Sequence, residues 1–345
     1  MPTARLALAV LALWFLHPAT EADAAPPRAS SVSRAFVFSP YKDVLLYLDP
    51  HAPTISIVTD DGVVPAVREG RSNLPRGVST LTWAFATGEC GAELWRDVPA
   101  QAIADANVRA FDRAGIDYII STGGAEGVFT CASDEGMERF IARYQSPHLV
   151  GIDFDIERDQ SAALIDSLVR RVQTARKRYP RLRFTFTLAT FGAGDGSHRS
   201  LNATGEKVMH AIRAAHLKHY YINLMVMNYG EASARNCVLS AGGCDMQRSA
   251  VQAAVNVHRK YGVPLHRIEL TAMIGVNDVV ANVFTPADAR ALIRMAQRQH
   301  LGGVHYWSLD RDMPCPGAND VTSTCHSLPG VPSRSFISAF VAGLH

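Results

Sequence analysis

Eight short β-rich runs, each followed by a longer stretch before the next, leave this chain few folds to choose from. The runs are 35–39, 80–87, 118–122, 149–157, 183–188, 221–229, 268–274 and 303–308. They are rich in β-branched and aromatic residues and bounded by turn formers. Several of the intervening stretches, 102–114, 160–178, 204–215, 248–261 and 286–299, carry apolar residues at helical spacing. Thr285-Pro286 reads as a helix start, a Thr cap followed by Pro in the first turn. Strands alternating with helices, with no break in composition, predict an α/β protein with a single (β/α)8 TIM barrel over residues 34–345. The stretch from Tyr47 to Ser79 is irregular. In such a barrel the chemistry sits where strands end. Glu157 closes the fourth run, Asn228 and Tyr229 the sixth, and Ser308 follows Trp307 on the eighth.

The N-terminus carries a different signal. Arg5 precedes an apolar run from Leu6 to Leu16, and Ala22-Asp23-Ala24 offers a small-x-small cleavage site. The run is short for a bilayer span, so residues 1–24 read as a signal peptide, 25–33 as a flexible leader, and the product as secreted, extracellular or periplasmic. Net charge is +2 with acids and bases interspersed. That excludes the basic stripe of a nucleic-acid binder, and no later run is long enough for a membrane span. The cluster Arg170, Arg171, Arg176, Lys177 and Arg178 reads as a solvated helix face. Six cysteines in an exported chain predict three disulfides. Cys237 with Cys244 and Cys315 with Cys325 fit short loops, which leaves Cys90 with Cys131. No cysteine spacing suits a metal, and no metal or organic cofactor is implied. Gly192-Ala193-Gly194-Asp195-Gly196 lacks the Lys-Ser/Thr of a phosphate loop and reads as a plain connection. Asn202-Ala203-Thr204 fits a glycosylation sequon.

The most chemical stretch is Val150-Gly151-Ile152-Asp153-Phe154-Asp155-Ile156-Glu157. Side chains alternate along a strand, so the three acids project one way and the apolar residues the other. Neighbouring carboxylates resist joint ionisation, so at least one is expected to hold a proton near neutrality, the innermost most readily. A strand that merely packs has no need of buried acids.

With these residues in view, the chain resembles glycoside hydrolase family 18, the chitinases and their relatives, and within it a secreted bacterial subgroup. Asp153-x-Asp155-x-Glu157 after a Gly is similar to that family's catalytic strand. Ser121-Thr122-Gly123-Gly124 resembles its third-strand signature, Met225-Val226-Met227-Asn228-Tyr229-Gly230 its sixth, and His305-Tyr306-Trp307-Ser308 its eighth. Phe38-Ser39-Pro40-Tyr41, Thr82-Trp83-Ala84-Phe85 and the run from Trp307 to Gly317 extend the likeness, which covers residues 34–342.

The resemblance implies substrate-assisted retaining hydrolysis of β-1,4 bonds between N-acetylglucosamine units. Glu157 would be acid and then base, Asp155 would orient the acetamide, and Asp153 would share its proton from behind. Tyr229, Asn228 and Met225 would contact substrate, and Trp307 would form the floor under the reacting sugar. Trp83 could equally pack in the core, and Trp95 could line the groove. The chain departs from the pattern twice. Asn228 replaces an acid, which should make Glu157 easier to ionise while leaving Asn228 able to bond Glu157 or the acetamide. Val150 stands where another Asp is common. The expected partners are chitin or N-acetylglucosamine oligosaccharides, bound by a monomer, with no nucleic acid and no membrane. Two rival readings share the motif: an endo-β-N-acetylglucosaminidase acting on N-glycans, and a lectin-like barrel. The second typically lacks the terminal Glu, which this chain keeps.

Overall fold

The computed structural model describes Met1 and residues 36–49, 51–315 and 321–344; the signal-peptide and leader assignments lie outside the described residues. All the elements below fall in the compact unit 32–345. Eight parallel strands close into a barrel: β1 (Val37–Asp43), β2 (Thr80–Ala86), β3 (Asp117–Gly123), β4 (Leu149–Asp155), β5 (Arg183–Ala189), β6 (Tyr221–Met225), β7 (Ile268–Met273) and β8 (Gly303–Trp307). Each pairs with its chain neighbours, and β8 closes the ring on β1 through Val37↔Gly303 to Pro40↔Tyr306.

Helices α1 (Ala100–Ala114), α2 (Asp134–Arg143), α3 (Ala162–Arg178), α4 (Ala203–Ala214), α5 (Met246–Tyr261), α6 (Pro286–Arg298) and α7 (Ser335–Leu344) follow β2 to β8 in order. After β1 the described residues hold hairpins instead, Ser56–Thr59 with Gly62–Pro65 and Val67–Arg68 with Arg71–Ser72. This is why the stretch after Tyr47 shows no helical period. Helix α3 shows how the rest assemble. Ile165, Leu168, Val169, Val172 and Ala175 repeat every three or four residues, all are buried, and Ser161 caps the N-terminus through Leu164 N–H. On the strands, Phe154 of β4 and Phe186 of β5 face outward and meet with ring centroids 5.6 Å apart. Burying each such side chain contributes about 1.5–3 kcal/mol.

The expected cap of α6 is present as a full capping box. Thr285 accepts from Asp288 N–H, and the Asp288 carboxylate accepts from Thr285 N–H, with Pro286 in the first turn. All three expected disulfides form, Cys90–Cys131, Cys237–Cys244 and Cys315–Cys325. Among the described residues no helix is long and apolar enough to cross a membrane.

Inside the ring the packing departs from the usual layers of branched apolar side chains. Ser39, Thr82, Ser121, Asp153, Asp155, Arg183, Thr185, Thr187, Asn223, Glu269, Thr271 and His305 are all buried. Period-two alternation produces this: Arg183-x-Thr185-x-Thr187 on β5 and Glu269-x-Thr271 on β7 send polar groups to the axis and Phe184, Phe186 and Leu270 to the helices.

Candidate active site

Strand β4 ends at Asp155, so only two of the three acids share its inner face. Glu157 lies two residues beyond the strand, half-buried at the rim. Asp153 is the deepest. Its Oδ2 accepts from Ser121 Oγ at 2.6 Å and Tyr41 Oη at 2.8 Å, and its Oδ1 from Thr187 Oγ1 at 2.6 Å. Asn223 secures this cradle, donating to Tyr41 Oη at 3.1 Å, Thr187 Oγ1 at 2.9 Å and Thr271 Oγ1 at 2.7 Å.

Asp155 is buried, and one carboxyl oxygen has no hydrogen-bond partner among the described residues. Burial pushes its carboxyl well above the ordinary range, and the charges of Glu157 and Asp153 push it further. Burial raises Asp153 too, but three hydroxyl donors and the charge of His305 favour its ionised form. The expectation that the innermost acid keeps the proton is therefore reversed. Asp153 is the better hydrogen-bonded acid of the pair, and Asp155, raised further, is the better place for the proton. Burial also raises Glu157, helped by the negative charge of Asp278.

Above the acids opens a cavity of about 410 Å³ that reaches Asp155, Glu157, Met225, Asn228, Asp278 and Trp307. Trp307 stacks on Phe85 with centroids 5.5 Å apart and planes 20° apart, and Tyr41 meets it edge-on at 6.3 Å. The aromatic wall thus rests on three strands. Trp83 stacks on Tyr118 at 4.6 Å, and Trp95 donates to Tyr144 Oη at 2.9 Å. Both are fully buried core residues, so the groove role considered for Trp95 does not hold.

The glycines of Ser121-Thr122-Gly123-Gly124 have a steric reason. Gly123 sits at φ +86°, and a Cβ there would lie 2.1 Å from the Asp155 carbonyl oxygen; one at Gly124 would lie 2.7 Å from the Phe85 ring. Gly124 N–H donates to that same carbonyl at 3.1 Å. The signature lets β3 close against the end of the acid strand.

Two expectations for the sixth strand need correction. Strand β6 stops at Met225, three residues before Asn228. Asn228 adopts a left-handed φ of 50°, a conformation Asn tolerates. Its amide donates to Asp278 Oδ2 at 2.8 Å rather than to Glu157, and its Oδ1 accepts from Val279 N–H at 3.0 Å. Tyr229 points away from the cavity. It is 1 % exposed within the hydrophobic core, and its N–H donates to Asn282 Oδ1 at 2.7 Å. The chain turns at Asn228, which swings the next side chain into the barrel wall.

Sequence reasoning missed Asp278. It lies on the loop after β7, which Asn277 and Asn282 tie to the backbone of Asn228 and Tyr229, and the Arg311 guanidinium donates to the Ile274 and Val276 carbonyls at 3.1 and 2.8 Å. The acid absent at position 228 is thus supplied from the neighbouring strand's loop. No local pattern marks it, although Asn277-Asp278 after a strand end was the available hint. The Ser121, Thr187, Asn223 and Tyr41 cradle was also missed; the polar alternation on β5 to β7 was its signal.

No family model matches the chain. It is 29 % identical over 241 residues to the probable bifunctional chitinase/lysozyme of Escherichia coli (strain K12), covering 64 % of this chain and 26 % of that protein. It is 26 % identical over 290 residues to endochitinase 11 of Metarhizium anisopliae, covering 76 % and 52 %. The chain therefore spans about a quarter and about half of these relatives' lengths. The catalytic domain of a hyperthermophilic chitinase from Pyrococcus furiosus superposes with a TM-score of 0.65 at 23 % identity, over 92 % of this chain and 98 % of that one. Mutants of active domain 2 of the Pyrococcus furiosus enzyme, complexed with chito-oligosaccharides, give 0.66 at 24 %, over 90 % and 94 %. These structural likenesses establish the shared barrel. The chain is similar in sequence to two chitinases and shares the barrel of the solved chitinase domains.

Proposed function

We propose that the protein is a secreted chitinase that hydrolyses β-1,4 bonds between N-acetylglucosamine units by substrate-assisted, retaining catalysis. The observation that carries this reading is the graded acid series under an aromatic wall: Asp153 held by three hydroxyl donors, Asp155 desolvated above it, and Glu157 raised at the rim. Both curated relatives are named chitinases, and three disulfides favour an oxidising compartment.

The chemistry follows from the placement. The sugar at the cleavage point rests against Trp307, whose face suits the C–H face of a pyranose ring. Its acetamide oxygen bonds to its own anomeric carbon as the C–O bond to the next sugar breaks. The electron pair leaves on the glycosidic oxygen, which takes the proton of Glu157. Asp155 orients the acetamide and stabilises the charge on the oxazolinium. Water then attacks the anomeric carbon, loses its proton to Glu157 and reopens the ring. Two inversions retain configuration.

The test is hydrolysis of N-acetyl-chitooligosaccharides beside a high-mannose glycopeptide, with the anomer of the new reducing end read by proton NMR. The proposal expects chitooligosaccharide cleavage with the β anomer formed first. Cleavage of the glycopeptide alone would assign the barrel to N-glycans, and binding without cleavage would make it a lectin.

A further inference from the structure

Below the acid strand lies a second set of buried charges for which the proposed chemistry gives no role. His305 of β8 is 3 % exposed. Its Nδ1 lies 3.0 Å from the Ser39 carbonyl oxygen on β1, and its Nε2 lies 3.3 Å from Glu269 Oε2 on β7. The other oxygen of Glu269 pairs with Arg183 of β5. A backbone carbonyl can only accept, and so can an ionised carboxylate, so each ring nitrogen faces a group that demands a proton. Neutral imidazole has one N–H and would turn its lone pair on one of them. Glu269 is kept ionised: burial pushes its carboxyl up, but Arg183 and His305 outweigh burial and hold it below the usual range.

Charge balance points the same way. Arg183 pairs with Glu269, Glu269 with His305, and the charge of His305 reaches Asp153. With a neutral His305 they would leave two anions and one cation buried together. With a charged one the four cancel, which is the condition under which buried ions are tolerated. The groups that face His305 are Glu269 from β7, Arg183 from β5 through Glu269, Asp153 from β4, and Tyr41 from β1, whose ring lies 6.1 Å away. Asp155 stands one step further, beyond Asp153.

We propose that His305 is a positioning residue, held as an imidazolium by Glu269 and the Ser39 carbonyl, whose fixed charge keeps Asp153 ionised and so leaves the proton of the acid pair on Asp155. It touches no substrate and acts through Asp153. The consequence for the reaction rests on the glycosidase reading above; the charge state of His305 does not.

The experiment has two arms. In the first, the full chain is labelled with 15N-histidine, and the imidazole nitrogens of His305 are followed by NMR from pH 5 to 8.5, assigned as the histidine signal that shifts most in Glu269→Gln. The proposal expects two protonated ring nitrogens in the parent at neutral pH and loss of one in Glu269→Gln. A single protonated nitrogen at pH 7 in the parent overturns it. In the second, kcat/KM is measured against pH for His305→Gln on one chitooligosaccharide. Without the cation the acid pair ionises less readily, so the acid limb should move up by about one pH unit while the alkaline limb stays. A uniform loss of rate with both limbs in place means a structural role and also overturns it; if His305→Gln does not fold, His305→Asn serves for this arm, with the same direction expected. A persistent imidazolium in a protein that cleaves none of the glycans would defeat the hydrolase reading while leaving the charge assignment standing.

Discussion

Glu157 can protonate a leaving group only while something keeps it protonated near neutrality, and two things do: partial burial and the anionic Asp278. Replacing the acid itself tests the role. Glu157→Gln keeps the shape but has no proton to give, so turnover should fall by roughly 10²–10⁴-fold or more while oligosaccharide binding persists. Parent-like rates, measured beside a calorimetric binding curve, would remove Glu157 from the mechanism. Asp278→Asn tests the tuning. Losing the neighbouring negative charge lowers the Glu157 carboxyl, so the acid ionises sooner and the alkaline limb of kcat/KM moves to lower pH. The limb belongs to the coupled acid cluster as a whole. A limb that stays put, or rises, would mean that Asp278 does not act on Glu157. The residue at 228 takes a different part: its amide steadies the Asp278 carboxylate at 2.8 Å.

At the scale of elements, the site depends on strand ends that approach more closely than side chains allow. Gly123 closes β3 against the last residue of β4, with no room for a Cβ beside the Asp155 carbonyl and with a backbone φ that L side chains avoid. Gly123→Ala should therefore cost about 2 kcal/mol or more and displace Asp155. The denaturation midpoint reports the first effect and kcat the second. An alanine variant with parent stability would show that β3 and β4 can part without cost. The loops after β6 and β7 are tied in the same spirit by polar contacts instead of sterics, through Asn228, Asn277 and Asn282. Element ends fix the distances between functional groups here, and the helices outside hold those ends in place.

Over the whole molecule, burying so many ionisable groups has a pH signature. Burial raises the carboxyls of Asp310 and Asp312 to about 6, above their ordinary 3.8, even with Lys42 paired to Asp310 at 2.7 Å. Between those values the folded state holds protons that the unfolded chain has lost. Stability therefore falls as pH rises through this window, and Asp155 adds to the trend. Glu269 works the other way, because its lowered carboxyl contributes stability that is lost once pH drops below the usual glutamate range. The thermal midpoint should peak on the acid side, near pH 4, and decline as pH rises through about 6. A midpoint that climbs steadily from pH 5 to 8 in a calorimetric series would contradict this account of the barrel interior.

The alternation of strands and helices, the cap at Thr285, the cysteine pairing and the acid motif are local or near-local patterns, and each was legible in the sequence because its physics acts over a few residues. Strand order followed from βα alternation, since successive parallel strands can close only in sequence order. The hairpins after β1 were not legible, because short two-stranded pairings leave a faint periodicity. Nor was the end of β6: Asn228 turns the chain at positive φ and sends Tyr229 into the core, and only packing chose between the two sides. The tertiary structure alone decided which carboxyls are pushed up furthest. Three hydroxyls from β1, β3 and β5 make Asp153 the better anion, and Asp278, 121 positions from Glu157 by numbering (278 − 157), supplies the charge that the sixth-strand motif lacks. A carboxyl's pKa depends on the groups around it in space, and in a closed barrel those come from every strand of the ring.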